Sequence, residues 1–113
     1  MTELYNEATM SISPSVYEGF GFPAGEALSC GVPLVATDGG SLPEVVGDAG
    51  IVVPHSDPPA LARAIDGLLR NEDRRAKMSV KARQHILDKF KWERCAREVV
   101  QLYRQTIVAR KAA

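Results

Sequence analysis

Residues 10–37 read "MSISPSVYEGFGFPAGEALSCGVPLVAT". The two ends of this stretch, "MSISPS" from Met10 and "VPLVAT" from Val32, are short runs bounded by Pro, Ser and Gly. The second is rich in β-branched residues, and both read as strands. Between them "PAGEALSCG" begins with Pro23 and stops at Gly31. Proline in the first helical turn and glycine just past the last is the sequence mark of a helix. Strand, loop, helix and strand in succession predict a parallel β-α-β unit with a right-handed crossover.

The same rhythm continues outward. "AGIVVP" from Ala49 reads as a third strand, and "GGSLPEVVGD" before it as a turn and a brief helix ending near Gly47. Ser41 with Glu44 three positions on has the form of a capping box, with Pro43 in the first turn. "PPALARAIDGLLRN" places Leu61, Ile65, Leu68 and Leu69 on one apolar stripe behind Asp57. "EDRRAKMSVKARQHILDKF" repeats Met78, Ala82, Ile86 and Phe90 every four residues. A last helix starts near Trp92 and sets Ala96, Val99, Val100, Tyr103 and Ile107 on one side. The expected fold class is α/β: a partial Rossmann-like domain of about three parallel strands flanked by helices. Residues 1–113 form one domain, with a helical tail over about 73–113 and fraying confined to the first few residues and "RKAA".

With 113 residues the chain can bury one core but is small for an enzyme with its own substrate cleft. Fourteen basic residues balance fourteen acidic ones, which gives no overall field toward nucleic acid or an anionic membrane. Cys30 and Cys95 lie far apart without metal-like spacing and read as two buried, reduced thiols. His55 and His85 are isolated, and the sequence assigns neither a role. No apolar run approaches the roughly 20 residues of a membrane span, and Met1 to Met10 is too polar for a secretory signal. The expected location is the cytoplasm.

The loop within the opening stretch, "VYEGFGFPAGEAL" over residues 16–28, asks for more than a turn would. Ligands of open α/β sheets sit beyond the carboxyl ends of the strands, and a helix N-terminus offers unpaired N–H groups to an anion. Gly19, Gly21 and Gly25 follow a G-x-G-x-x-x-G spacing, which is not the dinucleotide fingerprint, and no Walker lysine follows. Glu18 and Glu26 flank the loop. Two carboxylates beside a phosphate seat repel the ligand unless each meets its own donor, and a nucleotide sugar carries hydroxyls at both ends of its diphosphate. Taken singly, Glu26 equally fits a charge at the positive end of a helix, and Glu18 a solvated loop residue.

The series E-G-F-G-F-P-x-x-E, G-x-P-L-V-A, D-G-G-x-x-P-E and the late W-E resembles the retaining glycosyltransferases of GT-B architecture, family 4, with their E-x7-E signature. The likeness runs from about Leu4 to "FKWERCAREVVQLYRQ" and implies the second half of a GT-B C-terminal domain. By that resemblance Glu18 contacts the transferred sugar and is the catalytic residue. Gly19, Phe20, Gly21 and Phe22 present backbone groups to the donor sugar and diphosphate, and Glu26 binds the ribose. Gly39 and Gly40 border the same cleft, or else serve a tight strand-to-helix turn at positive φ.

The implied reaction moves a sugar from a nucleoside diphosphate to an acceptor hydroxyl with retention. No metal or other cofactor is expected, and no D-x-D motif occurs. The implied enzyme is several times larger. Its N-terminal acceptor domain, and the basic residues it sets against the diphosphate, lie outside this chain, so the chain alone is expected to be inactive. Lys91 departs from the pattern, standing where Ser or Thr commonly caps the last helix. Two alternatives belong to other classes: a non-catalytic nucleotide-sugar-binding or interaction module, and a glycosidase using Glu18 and Glu26 as its carboxyl pair. The first strand is expected to be a sheet edge, and the chain is expected to self-associate through it or through the last helix, or else to be only marginally stable.

Overall fold

In the computed structural model, which describes all of residues 1–113, nine elements follow one another. They are α1 (Thr2–Glu7), β1 (Ser11–Ser13), α2 (Phe22–Ser29), β2 (Leu34–Thr37), α3 (Leu42–Val46), β3 (Ile51–Val53), α4 (Pro58–Leu69), α5 (Glu72–Lys89) and α6 (Trp92–Ala112). The strands lie in the order β1-β2-β3, and both pairings are parallel. Ile12 stands opposite Val35, and Val35 opposite Ile51. β1 is an edge, as expected. This is the α/β arrangement of half a Rossmann-like domain, with helices on the sheet and a C-terminal helix beyond it.

Every residue of β2 is buried, because the central strand is covered on both faces. Leu34 and Ala36 join Ala24 and Leu28 of α2, Leu42 and Val46 of α3 and Ala82 of α5 in one apolar cluster. Alternation along the strand sends Val35 the other way, and α4 packs against β2 and β3 with Leu68 fully buried. Burying side chains of this size stabilises by roughly 1.5–3 kcal/mol each. The Asp57 carboxylate caps α4, accepting from the Ala60 N–H at 3.0 Å, and Asn71 caps α5 in the same way at 2.9 Å.

Several local expectations give way to tertiary packing. The capping box at Ser41 does not form: no side chain caps α3, and the Ser41 hydroxyl donates instead to the Glu18 carbonyl at 3.2 Å. Leu69 leaves the apolar stripe and is 49% exposed, since α4 needs only Leu61, Ile65 and Leu68 to cover the sheet. Gly40 has φ +58°, but Gly39 does not have positive φ. The two chain ends expected to fray are drawn as helix, yet neither α1 nor α6 contains a buried residue. α5 belongs to the body, where Ala82 and His85 are buried, whereas α6 stands clear of it. The molecule is elongated, with principal extents of 59, 28 and 23 Å. Contrary to expectation, neither cysteine is buried: Cys30 is half-buried at the end of α2, and Cys95 is exposed because α6 contains no buried residue. No helix is long and apolar enough to cross a membrane.

Candidate functional site at the ends of the first two strands

Two loops meet where β1 and β2 end. The Thr37 hydroxyl, buried at the end of β2, lies against the carbonyls of Ser13 (3.3 Å) and Ser15 and so ties the exit of β1 to its neighbour. A Cβ on Gly39 would come within 2.6 Å of the Val16 carbonyl carbon and oxygen. One on Gly40 would sit 2.8 Å from the Glu18 nitrogen and closer still to the Glu18 oxygen. The Glu18 carbonyl accepts the Ser41 N–H at 3.0 Å as well as its hydroxyl. The second loop is therefore clamped, backbone to backbone, beneath the first.

The first loop is clamped on one side only. Gly21 takes φ +88° as the N-cap of α2, and a Cβ there would sit 2.8 Å from Leu42 Cδ2, so the fold itself requires this glycine. Gly19 is different: a Cβ would meet nothing within 4 Å. The Gly25 position has ordinary room as well, with the Phe20 ring 3.9 Å away. No side chain caps α2, and the N–H groups of Gly19, Phe20, Gly21, Phe22 and Ala24 donate to no acceptor in the chain. They form a run of free donors around the positive end of a helix.

The carboxylates are each steadied by one hydroxyl. Ser15 Oγ donates to Glu18 Oε1 at 2.7 Å, and Glu18 is half-buried. Glu26, one turn into α2 and exposed, accepts at Oε2 from the Tyr5 hydroxyl at 3.2 Å. They do not share one hollow. Glu26 lines a cavity of about 750 Å³ with Phe20, Phe22 and Phe90, and Glu18 is not among its walls. Phe20 packs on Phe22 at 4.8 Å and edge-on to Phe90 at 5.8 Å, which anchors an otherwise exposed loop to the end of α5. Lys89, Lys91 and Arg94 line the same cavity. The nearest basic residue in sequence, Arg63, gave no hint that cations from the α5–α6 junction come round to the loop.

Both histidines acquire partners that sequence spacing did not show. His55, after β3, directs its backbone N–H (2.7 Å) and Nδ1 (2.6 Å) to Asp38 Oδ1, after β2. These two hydrogen bonds, the backbone one first, hold the Asp38 carboxyl below its ordinary range. His85 is buried and its Nε2–H donates to the Val45 carbonyl at 2.9 Å, satisfying the C-terminal turn of α3. Its ring fills the space under Gly47, where a Cβ would come within 2.7 Å of Cε1. No group of three or more His, Cys, Asp or Glu side chains is placed to hold a metal.

A strand end with free N–H donors and two steadied carboxylates suits a ligand with a diphosphate and hydroxyls. Comparison with known proteins bears on which family built it: the family model "Glycosyl transferases group 1" matches residues 1–85. The chain belongs to the group 1 glycosyl transferases. Among its relatives, O-antigen chain mannosyltransferase B of Escherichia coli is 41% identical over 105 residues, which are 89% of this chain and 26% of that protein. D-inositol 3-phosphate glycosyltransferase of Corynebacterium urealyticum is 39% identical over 106 residues, 92% of this chain and 25% of the other. The chain thus spans about a quarter of the length of these relatives. Sucrose-phosphate synthase of Thermosynechococcus elongatus superposes with a TM-score of 0.80 at 35% identity, over 94% of this chain and 27% of the synthase. TarM has the same fold over 89% of this chain and 21% of its own, with a TM-score of 0.74 at 23% identity.

Proposed function

We propose that this group 1 glycosyl transferase chain is the donor-binding part of a retaining, family 4 enzyme that transfers a sugar from a nucleoside diphosphate to an acceptor hydroxyl. The observation that carries the reading is the row of unpaired N–H groups from Gly19 through Phe22 at the uncapped start of α2, with Glu26 one turn further along. The diphosphate lies on those N–H groups. As the sugar leaves, negative charge concentrates on the departing phosphate, and donors already aimed there stabilise it without reorganising. No metal is required for that step, since Lys89 and Lys91 add positive charge at the rim of the cavity that holds Glu26.

Glu26 takes the ribose hydroxyls, with Phe20 and Phe22 beside it as an apolar wall. Glu18, held by Ser15, faces the sugar and stabilises its oxocarbenium character through a neighbouring hydroxyl. The acceptor site and the rest of the donor domain belong to the larger enzyme, so this chain alone binds donor without turning it over. Calorimetry with UDP, GDP and ADP on wild type, Glu26→Ala and Glu18→Ala tests the assignment. Loss of charge-assisted hydrogen bonds at Glu26 is expected to weaken binding by about 1.5–3 kcal/mol, roughly ten-fold or more. Glu18→Ala is expected to leave nucleoside diphosphate affinity nearly unchanged. Equal losses at both positions, or none at Glu26, overturn it.

A further inference from the structure

α1 touches the body of the molecule in an unusual way. None of its residues is buried, and Tyr5 alone is half-buried while its five helical neighbours are exposed. The Tyr5 hydroxyl makes the only side-chain hydrogen bonds from α1 to another element, reaching Glu26 Oε2 at 3.2 Å and the Pro23 carbonyl at 3.4 Å. A phenol has one proton to donate, and the nearer and charged oxygen is the better acceptor. Burial first, and then the hydrogen bond to Glu26, push the Tyr5 phenol above its ordinary value, so it remains a protonated donor at neutral pH.

The Glu26 carboxylate has no other partner: no side chain or backbone N–H donates to it, and no Lys or Arg forms an ion pair with it. A surface glutamate left to itself samples many rotamers, and that freedom is lost whenever a ligand fixes it. One bond to Oε2 restricts that freedom beforehand and still leaves Oε1 and a second lone pair of Oε2 open. The same device appears at the other carboxylate, where Ser15 holds Glu18. We propose that Tyr5 is a positioning residue for Glu26, orienting through its 3.2 Å hydrogen bond the carboxylate that receives a vicinal diol. This rests on the reading of Glu26 as the ribose contact.

The test compares UDP and GDP with their 2′,3′-dideoxy counterparts by calorimetry on the whole chain. Wild type is expected to prefer the ribose forms. Tyr5→Phe keeps the ring, so its melting temperature should match wild type while its affinity for the ribose forms falls about 3- to 10-fold. Its affinity for the dideoxy forms should not move, and in a Glu26→Gln background Tyr5→Phe should change nothing further. If wild type shows no ribose preference, or the preference survives Glu26→Gln, the reading of Glu26 has failed and Tyr5 positions nothing. If Glu26→Gln abolishes the preference but Tyr5→Phe behaves as wild type, only the Tyr5 proposal falls. It also falls if Tyr5→Phe weakens ribose and dideoxy forms equally. A readout without ligand is the phenol titration followed by carbon NMR of labelled tyrosines. Tyr5 should titrate above the ordinary phenol value and move back toward it in Glu26→Gln, and a Tyr5 indifferent to Glu26 contradicts the contact.

Discussion

The two glycine loops of this chain leave the same ends of adjacent strands and use glycine for opposite reasons. In the second loop Gly39 and Gly40 press against the backbone of Val16 and Glu18, so the absence of a side chain is consumed by folding. In the first loop Gly21 meets a conformational demand of the fold, but Gly19 has open space around its α-carbon and no positive φ. The N–H groups differ in extent: in the second loop those of Gly39 and Gly40 also lack an acceptor but Ser41 and Leu42 find backbone ones, whereas from Gly19 to Phe22 none does. What folding leaves unexplained is concentrated in the loop that lies between the two glutamates. Such a remainder is where a function is to be sought.

The comparison can be broken most violently at Gly40. Gly40→Ala adds αL strain of about 1–2 kcal/mol to a backbone clash of about 1–3 kcal/mol. Against a stability on the order of 5–15 kcal/mol that is a large share. Urea unfolding should show a midpoint far below that of wild type, and a variant as stable as wild type would mean the second loop is not clamped as described.

A smaller effect is expected at the tie between the strand ends. Thr37→Val keeps the shape and removes the hydroxyl that bridges to Ser13 and Ser15, at a cost of about 1–2 kcal/mol. If the tie holds the first loop in place, amide exchange in residues 15–19 should also quicken. Unchanged exchange there would confine Thr37 to the sheet.

The smallest effect concerns Asp38, next to Gly39. Its folded carboxyl titrates below the unfolded one, so its contribution to stability is present above the ordinary aspartate range. It is lost as pH falls through the depressed folded value. Both side chains of the pair are about half exposed, and solvent screening keeps the contribution small. Thermal melts of wild type and Asp38→Asn should differ slightly at pH 7, and the difference should shrink only below the ordinary aspartate range and vanish below the depressed folded value. A difference that persists in acid assigns the effect to something other than the carboxylate.

The sequence made the scaffold legible because its signals are local. Pro23 and Gly31 mark α2, Asp57 caps α4, and Met78, Ala82, Ile86 and Phe90 recur on the inner side of α5. The E-x7-E spacing is a local signal of the same kind, lying wholly within the first loop and the start of α2. The illegible parts are pairings across long stretches of chain. His85 finds the Val45 carbonyl 40 residues back, His55 finds Asp38 across 17, and Tyr5 meets Glu26 across 21. Ser41 shows the same limit from the other side: its capping-box pattern was real, yet a carbonyl from the first loop took its hydroxyl. The separation of Glu18 from the cavity that holds Glu26 was equally beyond reach, since it depends on how α5 turns into α6.

Gly19→Ala is the most direct test of the claim that the first loop is shaped for a ligand rather than for the fold. Its methyl enters open space at ordinary φ, so urea unfolding should place its stability within about 0.5 kcal/mol of wild type. If a diphosphate must approach the backbone closely there, the same methyl stands in its way, and calorimetry with UDP and GDP should show affinity reduced about ten-fold or more. Unchanged stability with sharply weakened binding is the result this account predicts. Unchanged binding, or a loss of stability comparable to that of Gly40→Ala, would contradict it.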